Sequence, residues 1–108
     1  MNDNSIEVRK WYISKVENIK NEIDSSLPVK EQSIQAYELR TKYKIEARNM
    51  MNDRESAKLL AELKPPLSYE ALLRRKMKIK GMTEEEAVLD ILNTSTVTNI
   101  TVNKKLGL

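Results

Sequence analysis

Apolar residues recur at steps of three and four along most of the chain, the spacing that places side chains on one face of an α-helix. The first such stripe consists of Val8, Tyr12, Val16, Ile19 and Ile23. It predicts a helix over about residues 5–24, with Asn4 as its N-cap and Glu7 as an acidic residue in its first turn. Pro28 ends this helix, because proline disfavours helical geometry in the residue before it.

A second helix is predicted to begin near Val29. Its apolar face is formed by Ala36, Leu39, Tyr43, Ala47, Met50 and Met51. Asp53 is a good N-cap for a separate helix after it. The pattern therefore allows either one kinked helix or a pair of helices over residues 29–64. The consecutive prolines Pro65 and Pro66 end this region.

Two further helices are predicted from their end signals. Ser68 caps the third helix, and Gly81 is its expected left-handed C-cap. The apolar face of that helix comprises Tyr69, Leu72, Leu73 and Met77. Thr83 and Glu86 form a capping box that opens the last helix. Its core face comprises Ala87, Val88, Ile91 and Leu92.

The tail from Thr94 to Asn103 breaks this pattern, because seven of its ten residues carry small polar side chains and three are Val or Ile. Such a stretch favours an extended segment or a loop. The chain thus predicts an all-α fold, a small bundle of four to five helices with an irregular Thr/Asn-rich C-terminal segment. We expect one domain over residues 1–108, in which the helix of residues 1–28 either completes the core or derives from a carrier's linker. The C-terminal helices and the polar tail occupy residues 67–108.

Composition narrows the available chemistry. The chain of 108 residues has the size of one domain. It has no Cys, which excludes disulfides, thiolate zinc sites and a Cys nucleophile, and no His, the commonest general base and metal ligand. We expect no metal site and no cofactor. The net charge of +3, from 19 basic and 16 acidic residues, permits an anionic partner without requiring one.

The sequence predicts no membrane span, because no apolar run approaches the roughly 18–20 residues that cross a bilayer. The first ten residues have no apolar secretory region. We therefore expect either cytoplasmic localisation or export as part of a larger chain that carries its signal elsewhere.

Two stretches carry side chains suited to a ligand. Hydroxyls and amides of the polar tail can bind a phosphate or a base edge, and the candidates are Ser95, Thr96, Thr98, Asn99 and Asn103. The alternative is a series of local caps and turns. Five bases between Arg74 and Lys80 can contact phosphates, with Arg74 and Arg75 as candidate substrate-binding residues. These bases are spread around a helix, and cations near a helix C-terminus are also stabilising without a partner.

Several features from about Ala36 onward occur in a familiar order. They are Arg40, the run EARNMMNDRE over residues 46–55, a proline break, KGMT over 80–83, the pair Ser95-Thr96, Asn99, and VNKKLG over 102–107. This order resembles the C-terminal effector (toxin) domains of bacterial polymorphic toxins, which are appended to Rhs-repeat, contact-dependent or type VII-exported carriers. The resemblance covers residues 36–108. The chain departs from that pattern at Val97 and Thr98, where a basic residue would follow the hydroxyl pair.

The resemblance implies a small toxin of interbacterial competition, released from a larger secreted chain, acting in the target-cell cytoplasm and neutralised by a cognate immunity protein. Many such domains cut nucleic acid. It implies a metal-independent, nuclease-like site in which Arg40, Arg48 and Arg54 stabilise a phosphorane and Asp53 serves as the base. Ser95, Thr96, Asn99 and Asn103 would orient the substrate. The alternative is a non-enzymatic helical protein-binding module, either a protein-directed effector or a small phage or plasmid regulator.

Overall fold

The structure is a computed structural model that describes residues 3–55, 57 and 67–97. Its four bounded helices are α1 (Ser5–Glu22), α2 (Val29–Met50), α3 (Tyr69–Lys80) and α4 (Glu84–Ser95). The described part of the chain contains no strand. The all-α prediction is therefore confirmed. The Thr/Asn-rich segment after Val97 lies outside the described residues.

The predicted ends of α3 and α4 are confirmed. Ser68 Oγ accepts the backbone N–H of Ala71 at 3.2 Å, and Gly81 adopts a left-handed conformation with φ of 67°. Glycine is favoured there because a Cβ atom is disfavoured at positive φ. In α4, Thr83 Oγ1 accepts the N–H of Glu86 at 3.1 Å, and the Glu86 carboxylate accepts the N–H of Thr83 at 2.9 Å. This reciprocal pair is the capping box.

The chain breaks after α2 instead of continuing as one kinked helix. Met51 is extended, with φ of −74° and ψ of 130°. Helical geometry resumes at Arg54, where the Asp53 carbonyl accepts the N–H of Ala57 at 3.0 Å and the Asp53 carboxylate accepts the N–H of Glu55 at 3.4 Å. Of the two arrangements that the sequence allowed, the described residues show the second, in which Asp53 opens a new helical stretch.

Asn4 is the N-cap residue of α1, as predicted, and its backbone carbonyl accepts the N–H of Val8 at 3.0 Å. Its side chain makes no capping bond to α1, and the Asp3 carboxylate instead accepts the N–H of Ser5 at 2.9 Å. Asn4 joins two distant parts of the chain: its amide donates to the Met50 carbonyl at 2.7 Å and accepts the N–H of Asn52 at 2.8 Å. One side chain therefore ties the start of α1 to the end of α2.

Helix α2 is central and packs against both α1 and α4. The core between α1 and α2 contains the α1 stripe that the sequence predicted. It comprises Val8, Tyr12, Val16, Ile19, Ala36, Tyr43, Ala47, Met51 and Ala57. Small alanines on α2 let the larger side chains of α1 approach closely, so the two helices bury a continuous apolar seam.

A second core joins α3 and α4 to the first half of α2. It comprises Tyr69, Leu73, Ala87, Val88 and Ile91, with Ile34 and Tyr37 packed against it. A buried polar link crosses this core: Ser33 Oγ donates to the Val88 carbonyl at 2.8 Å and accepts from the Tyr69 hydroxyl at 2.9 Å. The link fixes α2, α3 and α4 against one another, because each buried polar atom in it has its partner.

Tyr43 provides a pH-dependent contact between α1 and α2. Its hydroxyl donates to Glu22 Oε1 at 2.6 Å, and this hydrogen bond, followed by burial, raises the pKa of Tyr43 to about 12. A raised pKa means that the folded state favours the protonated phenol. The stabilisation is therefore complete below the ordinary pKa near 10 and is lost as pH rises to about 12.

We expect Tyr43→Phe to destabilise the protein at neutral pH but progressively less between pH 10 and 12. The measurement is the free energy of unfolding of both proteins by urea at several pH values across that range. Comparing the two proteins at each pH cancels the pH dependence that they share. A difference that stays constant to pH 12 would contradict the assigned hydrogen bond.

Candidate functional site

The side chain of Arg40 on α2 hydrogen-bonds to the backbone at the C-terminal end of α4. Its Nη1 donates to the carbonyl of Val97 at 2.9 Å and also to the carbonyl of Thr94. The last carbonyls of a helix have no partner within it, and they carry the negative end of the helix dipole. Arg40 thus places a cation on this end and fixes the point where the polar tail leaves α4.

Arg40→Ala is expected to lower the free energy of unfolding by about 1–2 kcal/mol, because it removes a charged donor from the Thr94 carbonyl in the last turn of α4 and from the Val97 carbonyl just beyond the helix. Urea denaturation measures this loss, and faster amide exchange at the end of α4 should accompany it. Arg40→Lys should recover part of the stability. An unchanged stability would leave Arg40 free for the catalytic role that the resemblance implies.

Lys44 lies one turn after Arg40 and is more than half buried. Burial of the ammonium lowers the pKa of Lys44, and the positive charge of Arg40 lowers it further. No carboxylate among the described residues forms an ion pair with it. Arg48, one turn further, is exposed. The stripe of Arg40, Lys44 and Arg48 therefore carries concentrated positive charge along one side of α2.

The threonine hydroxyls at the start of the polar tail donate hydrogen bonds to backbone carbonyls near the end of α4. Thr94 Oγ1 donates to the Asp90 carbonyl at 2.9 Å, and Thr96 Oγ1 donates to the Leu92 carbonyl at 3.1 Å. Ser95 and Thr96 are both buried. The sequence allowed either ligand-binding hydroxyls or local caps and turns in this segment. Thr94 and Thr96 fit the second, because their hydroxyls bond to the local backbone. Thr98, Asn99 and Asn103 lie outside the described residues.

The residues implied as catalytic do not lie together on α2. Arg40 stands ten residues before the end of the helix, which corresponds to about 15 Å along its axis at 1.5 Å per residue. Asp53 and Arg54 follow that end, where Asp53 caps the next helical stretch and Arg54 is exposed. Only Arg40 is brought against the segment that contains Ser95 and Thr96.

Helix α3 presents its bases in two directions. Tyr69 and Leu73 are buried in the second core, so residues 74, 75 and 78 lie on the opposite side of the helix. We call the set of Arg74, Arg75 and Lys78 the outward face of α3. All three side chains are exposed, and none forms an ion pair with a carboxylate of the described residues.

The remaining bases of α3, Lys76 and Lys80, lie outside this outward face. Lys76 turns inward and forms a 2.5 Å ion pair with Asp90 of α4. Met77, which the sequence placed on the apolar face, is 38% exposed and lies outside the second core. The outward face therefore holds three of the four bases of α3 that form no ion pair with a carboxylate of the described residues, and Lys80 at the end of the helix is the fourth. Lys78 was not among the substrate-binding candidates from the sequence, although its spacing of four from Arg74 places both on the same side of the helix.

None of the described helices is both long enough and apolar enough to cross a membrane. No group of three or more Asp or Glu side chains within ranges 3–55 and 67–97 is arranged to hold a metal ion.

Comparisons with known proteins leave the chain without a match. No protein-family model, no curated protein and no solved structure matches it.

Proposed function

We propose that this chain is a small helical effector domain that binds nucleic acid through the outward face of α3. The observation that carries the proposal is the contrast within one helix. The base that faces the protein, Lys76, is neutralised by Asp90, whereas Arg74, Arg75 and Lys78 face solvent without a described counter-charge.

The chemistry of this face suits a phosphate backbone. Arg74 and Lys78 are one turn apart, and Arg75 lies beside them, so the three cations can contact neighbouring phosphates of one strand. Guanidinium groups bind phosphate oxygens through paired N–H donors, which favours arginine at such contacts. Binding of this kind does not read sequence and weakens as salt increases.

The other parts of the proposal come from the resemblance to polymorphic-toxin effectors. They are release from a larger secreted chain, action in a target cell and neutralisation by an immunity protein. Within this proposal we favour action by binding over cleavage. Arg40 and Asp53, two of the residues implied as catalytic, already serve helix ends in the described residues.

The experiment is tightly repressed expression in a bacterial cytoplasm, with viability and the integrity of total RNA and DNA scored after induction. We expect growth arrest with intact nucleic acid. The variant Arg74→Ala/Arg75→Ala should relieve the arrest, and Lys10→Ala/Lys20→Ala, which removes two exposed bases of α1, should not.

The other outcomes of this experiment are also informative. Fragmented nucleic acid would show cleavage and restore the nuclease-like mechanism. Arrest that persists in soluble Arg74→Ala/Arg75→Ala would exclude the outward face as the functional surface and favour a protein-directed effector. Normal growth at good soluble expression of the unmodified chain would refute the effector proposal.

A further inference from the structure

An open groove lies where the first turns of α2 and α4 run side by side. It encloses about 870 Å³ and is lined by Val29, Lys30, Thr83, Glu84, Glu85, Val88 and Leu89. Val29 is 48% exposed and Leu89 is 49% exposed, and both border this groove. Half-exposed apolar side chains that share a concave surface are typical of a docking site.

The rim of the groove is acidic. The carboxylates of Glu70 and Glu84 lie 4.0 Å and 3.0 Å from Lys30 Nζ, so one amine serves both of them. Glu84 and Glu85 both line the groove, whereas Glu70 lies beside it. The groove thus combines an apolar floor with net negative charge, and it fits a helix that carries an exposed apolar side chain beside a basic one.

Helix α3 has that character on its solvent side. Ile79 is 69% exposed, the most exposed of the large apolar side chains in the described residues. Arg75 lies one turn before Ile79 and shares its side of the helix. This side of α3 carries a positive charge, which is opposite to the charge of the groove rim. It also carries an apolar side chain, which suits the apolar floor of the groove.

The α3 of one molecule cannot fill the groove of the same molecule. Its opposite side is held in the second core by Tyr69 and Leu73 and by the ion pair of Lys76 with Asp90. Ile79, the most exposed large apolar side chain of the described residues, therefore cannot reach the groove of its own molecule but can reach that of another.

We propose that the groove binds α3 of a second copy of this chain. The contact is head-to-tail, because one copy contributes its groove and the other contributes its helix, and each copy keeps one unused surface for a further copy. The association is weak and sensitive to salt, since the groove is small and its rim is charged. It uses the helix that the proposed nucleic-acid surface also uses, but it does not depend on that proposal.

Sedimentation velocity of the full chain, without nucleic acid, tests this proposal from about 10 µM to about 1 mM, a range suited to a weak interface. We expect the weight-average mass to rise with concentration from the monomer value of 12.5 kDa. Leu89→Lys damages the groove and Ile79→Glu damages the helix, so each variant alone should stay monomeric. Ile6→Lys, at a 56% exposed position on α1, is the control and should associate like the unmodified chain.

An equal mixture of the two variants gives the sharpest result. Ile79→Glu keeps an intact groove and Leu89→Lys keeps an intact α3, so the mixture should form a capped dimer of about twice 12.5 kDa. A monomer at every concentration of the unmodified chain would overturn the proposal. So would a mixture that stays monomeric while the unmodified chain associates.

Discussion

Removing Arg74 and Arg75 together is expected to weaken the binding of a short DNA duplex by about 10- to 100-fold near 0.1 M salt, because two phosphate contacts and their counterion release are lost. Fluorescence anisotropy with a labelled duplex measures the affinity of Arg74→Ala/Arg75→Ala against the unmodified chain. The fold should persist, since both side chains are exposed and lie outside the second core.

The matched control for this prediction is Lys10→Ala/Lys20→Ala. It removes the same net charge from exposed positions on α1. If general positive charge attracted the duplex, both double variants would lose affinity equally. The proposed surface requires a much larger loss for the α3 pair. Equal losses would therefore remove the argument for a defined interface, even if the unmodified chain binds nucleic acid.

Ile91→Ala is expected to destabilise the protein by about 2–5 kcal/mol, the cost of a cavity at a fully buried position. Ile91 belongs to the core that orients α3 and α4. Single domains have stabilities of about 5–15 kcal/mol, so this one change removes a large part of the total. Urea denaturation at neutral pH gives the value directly.

Leu89→Ala is the control for the core prediction, because Leu89 lies on the same helix but is about half exposed. Its cost should be under about 1 kcal/mol, since little buried apolar surface is lost. Similar costs for the two variants would mean that the second core is not packed as described. The orientation of the outward face of α3 would then lose its support.

The features that the sequence predicted correctly depend on neighbouring residues. The capping box of Thr83 and Glu86 and the left-handed Gly81 each require only a few positions of local chain, and both occur in the structure. The α1 stripe is equally local, because side chains three and four positions apart share a helix face whatever surrounds them. Local geometry therefore accounts for the fold class.

The features that the sequence did not predict join residues that are far apart in the chain. Asn4 bonds to Met50, and Ser33 bonds to Val88 and Tyr69. Asn4 occupies the N-cap position of α1, yet its side-chain amide bonds to the end of α2 instead of capping α1. Such pairings depend on how the helices pack against one another. The spacing of apolar residues along the chain carries no information on this packing.

The candidate site was predictable only in part for the same reason. The basic run from Arg74 to Lys80 is visible in the sequence, and Leu73 indicates which side of α3 faces inward. The neutralisation of Lys76 by Asp90 separates its charge from the others, and it depends on the packing of α3 against α4. The capping of α4 by Arg40 is likewise a contact across 54 residues or more of chain.

The most direct test of the central claim is the salt dependence of duplex binding by the unmodified chain, measured by anisotropy between about 0.05 and 0.3 M salt. Three phosphate contacts predict a slope of about −2.7 in log affinity against log salt. The slope of Arg74→Ala/Arg75→Ala should be smaller in magnitude by about 2 units. A duplex that does not bind, or a slope that is the same in both proteins, would contradict the assignment of the outward face of α3.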